Sequence, residues 1–484
     1  NNMSKGNINT TVIAERLAAS YPMEHYLHNR FHLEMPFGLI NDPNGLVWHD
    51  GYYHLFWQWN PLGCEHKNKC WAHTKTRDFI NYSLPQLALF PSDVHDKDGC
   101  YSGCGLSAAD KVNIFYTCNR KEGERRIPAQ RIGTLQADGT IKKGEIIIAD
   151  HPAKVTGHFR DPYLFSRHGK KYLLLGAQRE SDKKGTVLLY DETASGWQNL
   201  GEIHTELKDF GYMWECPNML RFGDVDVMLF CPQGLAAREF DRQNLYQAGY
   251  IAGHLSLADR KLVSHTKFQE LDRGFDFYAP QVFTHDDRHI MLGWMGMPDK
   301  EAECVTKNYG WMYSLTMPRE LKLRQGHIYS QPVAEMQALR RPESKQLLQA
   351  ANERVITRSL FNTCEVLLDL SWQEAAQIEL SLIYGAERVL ISYDVSRQVL
   401  TINRNGMKNG GRGVRKFKLP AAHNLNIRLF IDRSAIEVFF QQGLEAASML
   451  VYPVTDIIPQ LELKTDRPVA ITGTIWQLKN YNYQ

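Results

Sequence analysis

Five times along the first two thirds of the chain, an aromatic or β-branched run meets a short polar turn and gives way to a second apolar run, the pattern of a β-hairpin. The runs are GLVWHDGYYHLFWQW, CGLSAADKVNIFYTC, PYLFSRHGKKYLLLGAQ, NMLRFGDVDVMLFCPQG and PQVFTHDDRHIMLGWMG, turning at Asp50-Gly51, Asp110-Lys111, His168-Gly169, Gly223-Asp224 and Asp286-Asp287. Successive turns stand about 60 residues apart, the length of one four-stranded propeller blade with its loops. Helical periodicity is nearly absent here. The pattern predicts an all-β chain in which an N-terminal extension over 1–24 precedes a five-bladed β-propeller over 25–330, with a β-sandwich or an unrelated run of hairpins as the rivals for that region. Then the pattern changes. QPVAEMQALRR (331–341) starts near a proline and carries good helix formers, so a linker helix is expected within 331–344. After it, LNIRLFID places Leu425, Ile427, Leu429 and Ile431 on one face, and AIEVFFQQG does the same for Ile436, Val438 and Phe440 across a turn at Arg433-Ser434. Short alternating strands over 345–484 predict a C-terminal β-sandwich.

At 484 residues two domains are expected, and the balance of 43% hydrophobic and 23% charged residues with a formal charge of +2 is that of a globular protein. Nothing in it points to nucleic acid or an anionic surface, and no apolar run reaches the roughly 18 residues of a membrane-spanning helix. The chain opens on Asn1-Asn2 without a charged or apolar leader, which leaves cytoplasmic residence and secretion after removal of a leader both open. Asn9-Thr10-Thr11 and Asn81-Tyr82-Ser83 fit the glycosylation sequon, which matters only in a secreted protein. Nine cysteines, an odd number thinly spread, read as free thiols. Cys64, His66, Cys70 and His73 belong to the zinc ligand set but lack a C-x-x-C pair, so the segment is read as an ordinary loop and no metal or cofactor is expected.

The candidate chemistry falls at a similar place within the repeat, seven to ten residues before each turn. Asp42 lies eight residues before Asp50, Asp161 seven before His168, Glu215 eight before Gly223 and Asp276 ten before Asp286, while the second repeat offers Tyr101-Ser102-Gly103. Rotation about a propeller axis brings such positions together in one axial pocket. Asp42-Pro43, Arg160-Asp161-Pro162 and Glu215-Cys216-Pro217 share an acid near a stiffening proline. Taken singly, each is an ordinary loop acid; a calcium-binding ring is disfavoured because no D-x-D-x-D loop is present. Trp48, Phe56, Trp57, Trp59, Trp71, Trp214, Tyr278 and Trp294 accompany the acids, with amides at Asn41 and Gln58. Each aromatic alone is ordinary core, but with carboxylates and amides they describe a pocket that stacks on sugar faces and hydrogen-bonds hydroxyls. Two carboxylates in such a pocket can hydrolyse a glycosidic bond.

NDPNG (41–45), FWQWNP (56–61), FRDP (159–162), WECP (214–217) and DFYAPQ (276–281) resemble the signature blocks of glycoside hydrolase family thirty-two, the invertases or β-fructofuranosidases, and IRLFIDRSAIEVFF (427–440) is similar to that family's sandwich segment. GCEHKNKCWAH (63–73), GYMWECP and CPQG most resemble its bacterial sucrose-6-phosphate hydrolases and the animal enzymes similar to them. The resemblance implies a five-bladed propeller followed by a β-sandwich, cleaving terminal β-fructofuranosides with retention. It assigns Asp42 as nucleophile, Glu215 as general acid and base, and Asp161 as the group that holds fructosyl hydroxyls. Asn41, Gln58, Trp59, Trp71, Tyr101, Ser102, Arg160, Asp276, Tyr278 and Trp294 are the expected substrate contacts. Retention requires carboxyls about 5 to 5.5 Å apart, one protonated and one ionised. Glu215, beside Trp214, is expected to titrate high and Asp42 to be held ionised by donors. Trp71-Ala72-His73, Ser102-Gly103-Cys104 and Tyr116-Thr117-Cys118 depart from the family's usual blocks and bear on substrate preference. The expected partner is a small sugar, sucrose or its 6-phosphate, the phosphate meeting Lys67, Lys69, Arg120, Lys121, Arg125 or Arg126. A fructan exohydrolase, a fructosyltransferase and a non-catalytic sugar-binding propeller are the alternatives.

Overall fold

The computed structural model describes residues 8–484, whose regular secondary structure is almost entirely β-strand. All five anticipated hairpins form. In three of them both turn residues adopt left-handed backbone, as at Asp50 (φ 47°) and Gly51 (φ 83°), the geometry whose twist matches that of the flanking strands. The second turn is displaced by one residue from the expected pair: Ala109 takes the left-handed conformation (φ 52°) and Lys111 already opens the next strand.

Each hairpin begins a sheet. Gly38–His49, Tyr52–Asn60 and Cys70–Thr76 form the centre of the first; Cys100–Ala108, Lys111–Cys118, Ala129–Leu135 and Ile141–Ile148 form the second. Val155–Arg167, Lys170–Arg179, Gly185–Thr193 and Gly196–Glu202 make the third, and Met213–Phe222, Val225–Gln233, Gly249–Ser256 and Lys261–Val263 the fourth. Tyr278–His285, Arg288–Met295, Arg319–Arg324 and His327–Pro332 make the fifth. The leading strand of each sheet packs against the leading strand of the next, and the fifth packs against the first. Two further pairings tie the first sheet to distant chain: Trp311–Met312 runs parallel to its leading strand, and Asn482–Tyr483 adds to its outer edge.

Residues 346–477 form two six-stranded sheets around one apolar core. Leu425, Ile427, Leu429, Ile431, Ile436, Val438 and Phe440 all point into it, whereas Phe430 and Phe439 on the opposite face join the core of the first region. That second buried face explains why Ala435–Phe440 shows no exposed position. The expected linker helix is instead two 3₁₀ turns, Ala334–Leu339 and Pro342–Ser344, after Gln331 and Pro332 complete a strand. Met336 and Leu339 are its buried residues, three apart, a spacing that the 3₁₀ period places on one face. The N-terminal region adds one helix, Thr10–Ala19, whose first turn is capped by Asn9 Oδ1 accepting from the Val12 amide at 3.1 Å.

Between the two regions lies a fully buried ionic network. Arg319 donates to Glu437 Oε1 (2.6 and 3.0 Å), Asp272 Oδ2 (3.0 Å) and Ser448 Oγ (2.6 Å), while His32 bridges Asp432 (2.8 Å) and Glu437 (2.7 Å). No helix among the described residues is long and apolar enough to cross a membrane, and all nine cysteines are free.

Candidate active site

The same irregularity recurs in all five leading strands. Pairing with the second strand is broken between Ile40 and Pro43, Cys100 and Gly103, Arg160 and Tyr163, Glu215 and Asn218, and Tyr278 and Gln281. The residues thrown out of the ladder are therefore Asn41-Asp42, Tyr101-Ser102, Asp161-Pro162, Cys216-Pro217 and Ala279-Pro280. A bulge re-aims side chains, and a proline there leaves no backbone N–H unpaired. Asp161 (φ 67°), Cys216 (φ 48°) and Ala279 (φ 51°) are left-handed at the first bulge position.

The bulges revise the count made from the turns. Cys216, not Glu215, is the partner of Asp161 in the repeat, and Glu215 is the last paired residue before its bulge. Asp276 lies outside the repeat altogether: its Oδ2 accepts from Arg404 (2.7 Å) and the Leu450 amide (2.8 Å), joining the two regions rather than facing the acids.

Asp42, Asp161 and Cys216 converge, with one carboxylate oxygen of each acid and the sulfur all within 4.8 Å of one another. The Cys216 thiol lies 3.7 Å from Asp42 Oδ2 and 3.6 Å from Asp161 Oδ2, and the Cys216 amide donates to Asp161 Oδ2 at 3.0 Å. Its contact with Cys231, then burial, pushes that thiol well above its usual range. A protonated thiol between two carboxyls is a poor cation cage. Asp42 also accepts from Ser102 Oγ (2.7 Å) and Asn41 Nδ2 (3.1 Å). Adjoining it, Glu215 Oε2 accepts from Arg160 Nε (3.1 Å) and an Arg160 terminal nitrogen (2.9 Å), and Glu215 Oε1 from Gln233 Nε2 (2.8 Å) and the Tyr278 hydroxyl (2.6 Å).

Burial raises the Asp42 carboxyl above the ordinary range, opposed by its bond from Ser102. Asp161 is pushed up to about 7, again by burial first, with Glu215 and Asp42 raising it further and Arg160 pulling it down. The expectation that donors would hold Asp42 low is thus reversed, because two small donors do not offset complete desolvation.

The other anticipated contacts divide into two groups. Asn41, Ser102, Arg160 and Tyr278 reach the acids, and Tyr101 lies partly exposed beside Arg160. Gln58, Trp59 and Trp71 stand behind the pocket: their side chains donate to the carbonyls of Cys100 (3.0 Å), Phe37 (2.9 Å) and Tyr101 (3.0 Å), and both indoles are wholly buried. Trp294 is buried edge-on to Tyr278, His66 and Tyr313 with its indole N–H unpartnered. Gln233 and Cys216 complete the site and were not anticipated in it, although CPQG and WECP carried them, while Lys69, expected to meet a substrate phosphate, reaches Asn41. The zinc-type residues do not gather: His73 faces His54 (3.0 Å), His66 faces Lys69 (2.7 Å) and the Cys70 thiol faces the Asn68 carbonyl (3.3 Å).

Residues 32–332 match the glycosyl hydrolases family 32 N-terminal domain, and residues 335–476 match that family's C-terminal domain. The sucrose-6-phosphate hydrolase of Bacillus subtilis is 34% identical over 447 residues, covering 91% of both chains, and that of Klebsiella pneumoniae 35% identical over 439 residues, covering 88% of each. Among solved structures, sucrose-6-phosphate hydrolase from Lactobacillus gasseri superposes with a TM-score of 0.87 at 28% identity, over 98% of this chain and 97% of that one. The Bombyx mori GH32 beta-fructofuranosidase superposes at 0.86 with 26% identity, over 98% and 99%.

Proposed function

Because the chain belongs to glycosyl hydrolase family 32, we propose that it is a retaining β-fructofuranosidase acting on sucrose or sucrose 6-phosphate through a fructosyl-enzyme. In this reading the five sheets are the blades of a propeller, the two six-stranded sheets are a sandwich docked on it, and the bulges open into one axial pocket. The observation that carries it is the meeting of Asp42 and Asp161, from different sheets, on the thiol of the residue next to Glu215.

Asp42 attacks the anomeric carbon of the fructosyl unit while Glu215 protonates the bridging oxygen, and water then releases fructose with Glu215 as base. Positive charge develops on the ring and is stabilised by the flanking carboxylates. Asp161, fixed by the Cys216 amide, is placed to hold fructosyl hydroxyls. Trp59 and Trp71 act as scaffold, their indole N–H groups fixing carbonyls that shape the pocket wall.

The basic residues near the mouth sort by partner. Lys67 turns to Glu65, Arg120 to Glu122 and Arg125 to Asp150, Lys69 points inward, and Lys121 borders a cavity of 630 Å³ beside Tyr101. Arg126 is half-buried within the electrostatic reach of Arg160, Tyr101 and Glu215, and among the described residues it has no carboxylate partner, which favours an anionic group on the leaving sugar. The test is turnover of sucrose and of its 6-phosphate by the wild type, D42N and E215Q, with the anomer of released fructose followed by NMR. Each variant is expected to lose several orders of magnitude in kcat while remaining folded, with kcat/KM higher for the 6-phosphate in the wild type. Near-normal turnover by either variant overturns the assignment.

A further inference from the structure

One side chain removed from the candidate nucleophile, across Asn41, lies a lysine with no carboxylate in bonding contact. Lys69 belongs to the loop-to-strand junction preceding Cys70–Thr76 and is 7% exposed. Its ammonium donates to Asn41 Oδ1 at 2.5 Å and to His66 Nδ1 at 2.7 Å. Asn41 in turn points its amide N–H at Asp42 Oδ1 (3.1 Å), so one amide is clamped between a cation and the carboxyl that it addresses. The far side of His66 meets Glu301, Nε2 to Oε1, at 2.7 Å. With Nδ1 accepting from Lys69, the network assigns the imidazole proton to Nε2, and the histidine is a neutral bridge from a partly exposed carboxylate to a buried ammonium.

Resting on the reading of Asp42 as nucleophile, we infer that Lys69 is a positioning residue for it: through Asn41 it fixes the orientation of the carboxylate, and as a buried cation behind that amide it favours the ionised carboxylate, while His66 and Glu301 secure the ammonium from outside. An unpaired lysine so buried is otherwise costly, which is why a charge-balancing role accounts for its presence. The groups facing it are Asp42, Glu301, His66, Asn41 and the Cys70 thiol. Burial lowers its ammonium to about 7, with Asp42 and then Glu301 working in the opposite direction. Arg160 is committed to Glu215, so Lys69 is the cation on the side of the pocket that Asn41 occupies.

The experiment is the pH profile of kcat/KM on sucrose for wild type, K69M, K69R and E301Q, with thermal unfolding of each. A nearby opposite charge lowers a carboxyl, so with Lys69 acting on Asp42 across Asn41 the K69M variant is expected to move the acid limb upward by roughly 1 pH unit, the low end of the range for such a charge, and K69R to restore it. E301Q changes a partly exposed carboxylate and removes one raising influence, so it is expected to move the alkaline limb to lower pH without a change in melting temperature. If K69M does not fold, E301Q alone decides. Unchanged limbs in folded variants overturn the inference while leaving the nucleophile intact; an active D42N overturns the reading beneath it.

Discussion

His32 is wholly buried between two carboxylates, Asp432 at 2.8 Å and Glu437 at 2.7 Å, where the two regions of the chain meet. Burial alone works against its charge, but the bonds to Asp432 and Glu437 outweigh burial and push the imidazole from 6.5 up to about 9. The folded state therefore binds a proton between those values that the unfolded state has released. The rise is about 2.5 pH units, which at 1.36 kcal/mol per unit amounts to about 3 kcal/mol. Because the folded pKa lies above the unfolded one, this stabilisation is complete below about 6.5 and is lost as pH climbs through about 9.

The perturbation is His32→Asn, compared with wild type by urea unfolding, followed by tryptophan fluorescence, at intervals from pH 6 to pH 10. Asp432 keeps backbone donors from Arg30 and Phe31, and Glu437 keeps Arg319, so part of the loss is independent of pH. The informative quantity is the change in the wild-type-minus-variant difference across the range, expected to be about 3 kcal/mol larger at pH 6 than at pH 10. A difference that stays constant to within about 1 kcal/mol would show that the histidine is neutral there, and the charge-paired description of the interface would fall.

Two further outcomes follow from the site. Asp161, pushed up to about 7, destabilises the fold as pH rises through the interval above its unfolded value, because the folded state must ionise a buried acid. Asp161→Asn is expected to be more stable to unfolding than wild type at pH 8, by at most about 4 kcal/mol, with the advantage vanishing toward pH 4 and activity lost throughout; a variant less stable than wild type at pH 8 contradicts this. Gly176 pairs with Arg160, and a Cβ built there would meet the Trp214 carbonyl at 2.2 Å. Gly176→Ala should therefore push the Arg160 and Glu215 strands apart, costing about 1–3 kcal/mol or more and lowering kcat; an unchanged melting temperature with full turnover would refute it.

The hairpins were legible because turn chemistry and alternation are local, and Asp286-Asp287 or His168-Gly169 between two apolar runs needs no tertiary information. The convergence of Asp42 with Asp161 was legible from the repeat to within one residue, since both leave the ladder at the same bulge, Asp42 as its second residue and Asp161 as its first. The offset of Glu215 was not: which residue leaves the ladder depends on cross-strand register, and counting from a turn cannot resolve one residue. Asp276 shows the same limit: ten residues before its turn, it finds its partner in Arg404, more than a hundred residues away. Trp59 and Trp71 show the ambiguity of a large amphipathic ring, which serves equally as platform or as wall. Lys69 read as one of several loop cations that could meet a phosphate, because burial leaves no trace in composition.

What the chain gains from its bulges also explains the electrostatics. In three of the five leading strands the first bulge residue, Asp161, Cys216 or Ala279, is held in left-handed backbone, a strain of about 1–3 kcal/mol each that the surrounding sheets hold. In return, the acids stand on rigid strands with their backbones fixed, and three carboxyls, Asp42, Asp161 and Glu215, face two cations, Arg160 and Lys69. Such a group approaches neutrality only by retaining one proton. Under the proposed roles, Asp161, pushed up to about 7 by burial, is the carboxyl that retains it, and Asn41 ties the second cation, Lys69, to the Asp42 side of the pocket.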